Sequence, residues 1–329
     1  MLAFMKKFHY NNPICRFLSI PGTTCPTLDA RCRKSTILKP NNHTQSTWKS
    51  TYMMNQTAHI KLIEEISLNA WPSHKMELYD GWLIRFSHNY THRTNSVSQV
   101  GASLLPVEEK IEYCESIYRN FHTPSIFKIS PLLDPSFDTL LESRGYEIQH
   151  ITENMVMDYA DFKPYESVGI EYEYYGRNSG LPSFVVYPND VIVQLRDRIT
   201  DEWIHSLFRL NGTTNPTLRR IVPSMYKAIP KETIVANIEI DGRMVASGLG
   251  IMDRGYVGIY AIYVDASCRH KHFARSICST ILTEARKKGA EHAYLQVVKG
   301  NVWAKELYTS LGFRDLYTYW FRVKELSGI

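Results

Sequence analysis

Apolar side chains recur at helical spacing in some stretches of the chain and alternate with polar ones in others. Residues 59–72 have helical periodicity up to Pro72, and residues 79–89 are typical of a strand that follows a turn. Residues 107–121 form a predicted amphipathic helix, and a strand, a helix and a second strand follow up to about residue 159. The first part of the chain therefore reads as alternating helices and strands.

The second part of the chain repeats this order after an antiparallel meander. Its predicted elements are strands at 233–240, 244–252 and 256–266, a helix at 274–288, a strand at 293–298, a helix at 301–312 and a pair of strands within 314–324. The turn at Asp241-Gly242 joins the first two strands of the meander.

A shift of 167 positions aligns the two parts without a gap. It places 107–121 on 274–288, and 140–146 on 307–313. We interpret this as an internal duplication. The predicted fold class is α/β (α+β), with two domains at 58–162 and 163–329 that each hold a mixed, mostly antiparallel sheet flanked by helices.

Composition and charge narrow the class of protein. The chain has 329 residues, 44% hydrophobic and 22% charged, which is typical of a globular protein, and no run is long enough to cross a membrane. Of the net charge of +5, residues 1–57 contribute +7, so the remainder is near −2. A nucleic-acid partner is therefore not expected for the folded part, nor is a membrane partner.

Residues 1–57 form a basic leader that lacks periodicity and is predicted to be disordered. It does not resemble a secretory signal. An organelle transit peptide and an extension upstream of a start at Met53 or Met54 both fit it. The six cysteines lack metal-ligand spacing, so we expect neither a zinc site nor disulfides, and a reducing, cytoplasmic location.

One stretch has basic residues at a predicted helix N-terminus, where they are unfavourable. Residues 268–282, "CRHKHFARSICSTIL", put basic and imidazole side chains where a helix begins, although the helix dipole already makes that end positive. An anion bound to the exposed backbone N–H groups would resolve the conflict. The alternative is a solvated run of charge.

Residues 256–314 resemble the GCN5-related N-acetyltransferase (GNAT) family. That family has a strand ending in Val, then Q/R-x-x-G-x-G/A at a helix start, and later N-x-x-A-x-x-x-Y-x-x-x-G-F. Here Val264 precedes Arg269–Ala274, and Asn301–Phe313 matches every position of the second motif. The first match is partial, because His272 stands where the family has Gly, which narrows the space for backbone approach.

The resemblance implies a site for acetyl-coenzyme A with no metal. In the family the pyrophosphate lies on the helix N-terminus and the pantetheine arm runs along the preceding strand like an added strand. The matching residues are Ile262, Tyr263, Val264, Arg269, His270, Lys271, His272, Phe273, Ala274, Arg275 and Asn301. By the same resemblance Tyr308 protonates the departing thiolate as general acid, and Asn301 also caps the next helix.

The general base is not evident from the sequence. Some relatives that acetylate ribosomal protein N-termini have a Glu where this chain has Gln296, and Gln cannot accept a proton. A water relayed by Glu239, Asp253 or Tyr260 is one interpretation, and a surface or core role for each of the three is the other. The histidines at 270, 272 and 292 are expected to face phosphate or solvent.

The first half is predicted to be a degenerate copy without cofactor. Glu108 and Glu109 fall where the second half has its basic helix start, and two carboxylates there would satisfy the dipole and repel pyrophosphate. Leu141 falls at the position of Tyr308.

The predicted function is an N-acetyltransferase that moves acetyl from acetyl-coenzyme A to an amine by direct attack in a ternary complex. The alternative is a non-catalytic GNAT-fold binding or sensor module that retains a coenzyme A site. The acceptor, a small-molecule or peptide amine, is expected between residues 190–230 and Tyr317–Phe321, and a homodimer is left open.

Overall fold

The computed structural model describes residues 56–166, 171–172, 183–187 and 191–326. The chain divides into two compact units, Met1–Met53 and Met54–Ile329, and every described residue lies in the second. The predicted leader lies outside the described residues, except for its last two positions, which begin the first helix.

Helices and strands alternate along the described residues. The helices are α1 (Gln56–Ala70), α2 (Val107–Asn120), α3 (Pro135–Ser143), α4 (Asp201–Asn211), α5 (Pro216–Lys227), α6 (Phe273–Lys287) and α7 (Val302–Ser310). The strands are β1 (Lys75–Tyr79), β2 (Trp82–Phe86), β3 (Ser98–Gln99), β4 (Ser125–Ile129), β5 (Glu147–Asp158), β6 (Glu171–Tyr172), β7 (Ser183–Tyr187), β8 (Val191–Arg196), β9 (Thr233–Ile240), β10 (Arg243–Asp253), β11 (Tyr256–Val264), β12 (His292–Val298) and β13 (Arg314–Lys324).

Local sequence signals explain several of these boundaries. Asn215 caps α5 by accepting hydrogen bonds from the Thr217 and Leu218 amides, and Pro216 occupies the first helical position, where its missing N–H costs nothing. Gly212 ends α4 in the left-handed conformation. The start of α5 and the end of α4 are therefore explained by their capping residues.

The described strands form a three-stranded sheet, β1-β2-β3, and a ten-stranded sheet in the order β4-β13-β5-β12-β11-β10-β9-β8-β7-β6. β13, from the second half of the sequence, lies between β4 and β5 of the first half and is antiparallel to both. β5 in turn pairs with β12. The two halves thus share one continuous sheet.

The shift of 167 positions also relates the observed elements. It carries the bounds of α3 onto those of α7, and the bounds of β5 onto those of β13 to within one residue. The duplication remains our interpretation, but the elements have the register that it requires.

Helices cover both faces of the large sheet. On β9, Ile234 and Ala236 face the α6 side, whereas Val235, between them, faces α4 and α5, as strand alternation requires. α6 approaches β10 so closely that a Cβ on Gly248 would lie 2.4 Å from the Ile277 Cγ2. This contact fixes the start of α6 against the strands that form the site.

The strand expected after a turn within 79–89 is β2, which follows the Asp80-Gly81 turn. Its hairpin partner β1 was not predicted. Another prediction was wrong in detail. The expected pair of strands at 314–324 is the single strand β13, whose register irregularities let it bend without a turn.

Candidate functional site

The site lies where two parallel strands part. β11 and β12 pair only from Tyr256 to Ile259, opposite His292 to Leu295, although β11 continues to Val264. At Ala261 the backbone adopts a positive φ of 51°, and the register of β10 against β11 shifts between Ser247 and Leu249. The backbone beyond this irregularity therefore faces a cleft rather than β12.

The N-terminus of α6 lies beside this cleft and is uncapped. His272, the N-cap, has φ 60° and ψ 11° and makes no side-chain cap hydrogen bond, and His270 also has a positive φ of 61°. The Ser276 amide is bonded to the His272 carbonyl, whereas the amides of 273–275 have no acceptor within the helix. These N–H groups can bind an anion.

Basic side chains surround that helix start. Lys271 is exposed, while the Arg275 Nε is buried and has no hydrogen-bond partner among the described residues. The Arg275 guanidinium lies 5.2 Å from the ring centre of Tyr165, which stacks on His272 at 5.8 Å. A guanidinium held by stacking, with a donor to spare, fits a phosphate ligand.

The second motif forms α7 and places Tyr308 against α6. Asn301 caps α7 by accepting a hydrogen bond from the Ala304 amide at 3.2 Å, as predicted. Tyr308 is half-buried and packs on Phe313 at 6.1 Å, and its hydroxyl makes no hydrogen bond within the described residues. Burial, with a smaller effect of Cys278, raises the pKa of Tyr308, so its hydroxyl stays protonated at neutral pH.

Steric contact explains the glycine near the end of the motif. Gly312 has φ 108°, and a Cβ there would lie 2.2 Å from the carbonyl oxygen of Asp161. The Leu311 carbonyl also accepts a hydrogen bond from the Lys163 amide at 3.1 Å. Gly312 thus lets the segment after β5 pack tightly under α7.

Comparisons with known proteins agree with this geometry. Residues 197–313 match the model of the family described as "Acetyltransferase (GNAT) family", and residues 57–177 match "Probable histone acetyltransferase Rv0428c C-terminal". The uncharacterized N-acetyltransferase YobR of Bacillus subtilis (strain 168) is 23% identical over 269 residues, covering 80% of this chain and 98% of YobR.

Solved structures share the fold. A GCN5-related N-acetyltransferase from Kribbella flavida has a TM-score of 0.56 at 14% identity and covers 84% of this chain and 98% of its own. A tandem GNAT protein from the clavulanic acid biosynthesis pathway has a TM-score of 0.52 at 11% identity. The match covers 70% of this chain and 74% of that protein's chain.

The chain has a GNAT fold. Residues 197–313 match the GNAT family model, and the solved structures that share the fold include a GNAT protein with a tandem arrangement. GNAT proteins in general bind acetyl-coenzyme A and transfer its acetyl group. Among the described residues no helix is long and apolar enough to cross a membrane, and no group of three or more His, Cys, Asp or Glu side chains could hold a metal ion.

The counterpart loop of the first half holds its own anion. The Asp80 carboxylate accepts hydrogen bonds from the Leu104 and Leu105 amides, each at 3.0 Å, and pairs with the buried Lys110 at 3.2 Å. The Leu105 and Leu104 amides, with Lys110 beside them, hold the pKa of the Asp80 carboxyl below its usual range. A shift of 167 places these two amides on those of Lys271 and His272 in the GNAT loop.

Sequence reasoning missed Asp80, because it lies 24 positions before the loop it serves. Glu108 and Glu109, which were expected to satisfy this helix start, lie in the first turn of α2 and are exposed. Leu141, the counterpart of Tyr308, is fully buried. The Leu104 and Leu105 amides are therefore already bonded to a carboxylate of the chain itself.

Each of the three candidate relays for a general base is bonded to another side chain. Asp253 lies at the β10–β11 hairpin, away from the parting strands, and pairs with Lys231 at 2.9 Å. Glu239 accepts a hydrogen bond from Asn237 at 3.0 Å, on the far side of β10 from the cleft. Tyr260 bonds the Tyr294 hydroxyl at 2.6 Å, and burial raises its pKa.

Gln296 lies at the cleft, on the last part of β12. Its Oε1 accepts a hydrogen bond from the Tyr319 hydroxyl at 3.3 Å. Within the predicted acceptor region, α4 and α5 pack on the sheet face that carries Tyr260. Tyr317, Tyr319 and Phe321 are all buried in a core cluster with α1, and of the three it is Tyr319 whose hydroxyl bonds Gln296.

Proposed function

We propose that the protein is an N-acetyltransferase that transfers acetyl from acetyl-coenzyme A to an amine by direct attack in a ternary complex. The observation that carries the proposal is the parting of β11 and β12 beside the uncapped N-terminus of α6. Together they offer an open strand edge and a set of free N–H groups a few residues apart in sequence, which suits a ligand with an amide arm and a pyrophosphate.

The residues around this cleft fit acetyl-coenzyme A. The backbone of Ile262, Tyr263 and Val264 would hold the pantetheine arm, and the amides of 270–275 would bind the pyrophosphate. Arg269, Lys271 and Arg275 add positive charge, and the unpartnered Nε of Arg275 supports this role. Asn301 would support the cofactor while it caps α7.

His272 occupies the position of the family's glycine without breaking the turn. At φ 60° it adopts the left-handed conformation that Gly favours, and its ring stacks on Tyr165 instead of covering the helix start. The amides of 273–275 therefore remain available for a ligand.

Acetyl-coenzyme A supplies the acetyl group as a thioester, whose thiolate is the leaving group. Tyr308 holds a proton on its Oη at neutral pH because burial raises its pKa, and it would donate that proton as general acid. Gln296 can orient a polar group but cannot accept a proton, so we assign the proton from the amine to water.

Direct attack needs no nucleophile on the enzyme, and the cysteines near the site are poorly suited to that role. Cys268 and Cys278 are both buried, and burial raises the pKa of the Cys278 thiol to about 12. A thiol with this pKa is almost entirely protonated at neutral pH and is a weak nucleophile. An acetyl-enzyme that accumulates without acceptor would contradict the mechanism.

A second candidate is a non-catalytic binding or sensor module that retains the coenzyme A site. Gln296 favours it, because a general base is absent from that position. Calorimetry with coenzyme A, followed by an assay of coenzyme A release with a panel of amines, distinguishes the two. Binding with amine-dependent release supports the enzyme, and binding without release from any amine supports the module.

A further inference from the structure

Two arginines that lie against the large sheet have no acidic partner. Arg85, on β2, is 3% exposed, and Arg93, which follows it by eight positions, is half-buried. Neither forms an ion pair with any described carboxylate. The other buried cations in the described residues do: Lys110 pairs with Asp80, Lys128 with Glu64 and Arg322 with Asp138. Buried charge without a counter-ion is costly, so this exception calls for a ligand.

Arg85 is held in place by main-chain carbonyl groups. It donates to the carbonyl oxygen of Trp71 and, at 2.9 Å, to that of Arg93. Burial lowers the pKa of the Arg85 guanidinium to about 10, which leaves it charged at neutral pH. Arg85 thus fixes the backbone of Arg93 while adding positive charge beside it.

Arg93 is the more accessible of the two. Its Nε donates to the Tyr319 hydroxyl at 3.0 Å, and no hydrogen bond of its terminal nitrogens occurs within the described residues. Tyr319 in turn donates to Gln296 at 3.3 Å, so Arg93 is linked to the end of β12. The terminal nitrogens are therefore donors that a ligand can use.

Both arginines line a small cavity of about 20 Å³ together with Tyr260 of β11 and Gln296 of β12. These are the two strands that part to form the cleft. Tyr260 packs with α4 and α5, on the face opposite α6. The cavity is therefore separate from the N-terminus of α6, where the pyrophosphate is placed, and lies on the side of the sheet from which an acceptor would approach.

We propose that this cavity binds a carboxylate of the acceptor, so that the preferred substrate is an amine of the amino-acid type. This inference rests on the proposed acetyl transfer. A cavity of this volume holds about one or two water-sized groups, which suits the two oxygens of a carboxylate better than a phosphate. A guanidinium binds a carboxylate with two parallel hydrogen bonds, and Arg93 has the free nitrogens for them.

The test compares amino acids with their decarboxylated counterparts, such as phenylalanine with phenethylamine and lysine with cadaverine. We expect kcat/KM for at least one amino acid to exceed that of its counterpart by about 10- to 100-fold, the worth of a charge-assisted hydrogen bond. Arg93→Gln should reduce this ratio to about two-fold or less, and Arg93→Lys should restore part of it. Arg254→Gln, at an exposed arginine paired with Glu65, is the matched control and should keep the ratio.

The outcomes separate this inference from the proposed function. If amines without a carboxylate are acetylated as well as the amino acids, the carboxylate site is refuted and acetyl transfer stands. If no amine is acetylated, calorimetry measures whether the same amino acids bind, which tests the carboxylate site independently of acetyl transfer. Binding that Arg93→Gln abolishes would support the site and refute only the transfer, whereas no binding of any amino acid would refute the site.

Discussion

Tyr319 pairs across the sheet with Thr152, the residue 167 positions before it. The same offset of 167 positions aligns the two halves of the sequence. Thr152 and Tyr319 therefore occupy equivalent positions in the two halves. Two equivalent strands that pair antiparallel are related by a two-fold axis through the sheet, and this axis passes between Thr152 and Tyr319. Arg93 bonds to the hydroxyl of Tyr319, which places the proposed carboxylate site close to the axis.

Acidic substitution at the start of α6 should weaken coenzyme A binding. We expect Lys271→Glu and Arg275→Glu each to cost about 1–3 kcal/mol, the scale of a charge-assisted contact. Lys61→Glu, at an exposed position of α1, is the control and should leave the affinity unchanged. Titration calorimetry measures all three, and unchanged affinity in both site variants would refute the phosphate role of the basic cluster.

The same titration should give one coenzyme A per chain. The loop of the first half is already bonded to the Asp80 carboxylate, whose charge would repel pyrophosphate. A stoichiometry of two would contradict this reading of the first half.

Removing the Tyr308 hydroxyl should slow the reaction and leave the cofactor affinity nearly unchanged. For Tyr308→Phe we expect kcat to fall by ~10²–10⁴-fold. Because burial raises the pKa of Tyr308, this group should cause no loss of wild-type activity up to about pH 10.

Tyr159→Phe is the matched control for this substitution. Its hydroxyl donates to the Leu282 carbonyl at 2.7 Å within the core, so the variant should lose stability but not kcat. If kcat of Tyr308→Phe stays within a few-fold of wild type and its pH profile is unchanged, Tyr308 is not the acid.

Gly312→Ala should destabilise the protein strongly. The new Cβ would lie 2.2 Å from the Asp161 carbonyl oxygen at φ 108°, so either the backbone or the segment after β5 must shift. We expect a loss of about 2–4 kcal/mol in the free energy of unfolding. Gly300→Ala separates the effect of the positive φ from that of the close contact. Gly300 has φ 95° but nothing lies within 4 Å of a Cβ there, so the substitution should cost only about 1–2 kcal/mol in urea unfolding. Equal losses would mean that the close contact is unimportant.

The ion pair between Asp138 and Arg322 should make the free energy of unfolding depend on pH in the acidic range. Arg322, 4% exposed, donates to Asp138 at 2.8 and 2.9 Å, and these hydrogen bonds hold the pKa of the Asp138 carboxyl below its usual value. The stabilisation is therefore present above about pH 4, the unfolded pKa, and is lost as the pH falls through the folded pKa.

Asp138→Asn should accordingly lower the free energy of unfolding by about 2–4 kcal/mol at pH 7, because it leaves a buried guanidinium without its main partner. The difference from wild type should shrink below about pH 4. Glu65→Gln, in an exposed pair with Arg254, should cost under about 1 kcal/mol at any pH. A difference that stays constant from pH 7 to pH 3 would show that the charge of Asp138 does not matter.

The sequence predicted the elements whose signals are local. The motif at 301–313 is set by a cap, a helix face and a glycine, all within 13 positions, so α7 and its Asn301 cap were predicted correctly. The start of α6 was recognised because its charges conflict with the helix dipole, a conflict that is visible within one turn.

Other features depend on contacts between distant residues and could not be read from the chain. Asp80 meets Leu104 only because of the hairpin between β1 and β2. Arg85 and Arg93 are unremarkable in sequence, and their lack of an acidic partner appears only once the neighbours are known. The place of β13 in the sheet is likewise invisible, because alternation predicts a strand but does not name its neighbours.

The position of β13 has a consequence for how the protein is made. β4 and β5 leave the ribosome well before β13, since Asp158 and Arg314 are about 150 positions apart, and synthesis of that length takes roughly 8–30 s. During this interval the edges that β13 will later cover are open to other chains. We expect the nascent first half to depend on chaperones until residues 314–324 have emerged, and a chain that stops before Arg314 to aggregate rather than fold as a smaller domain.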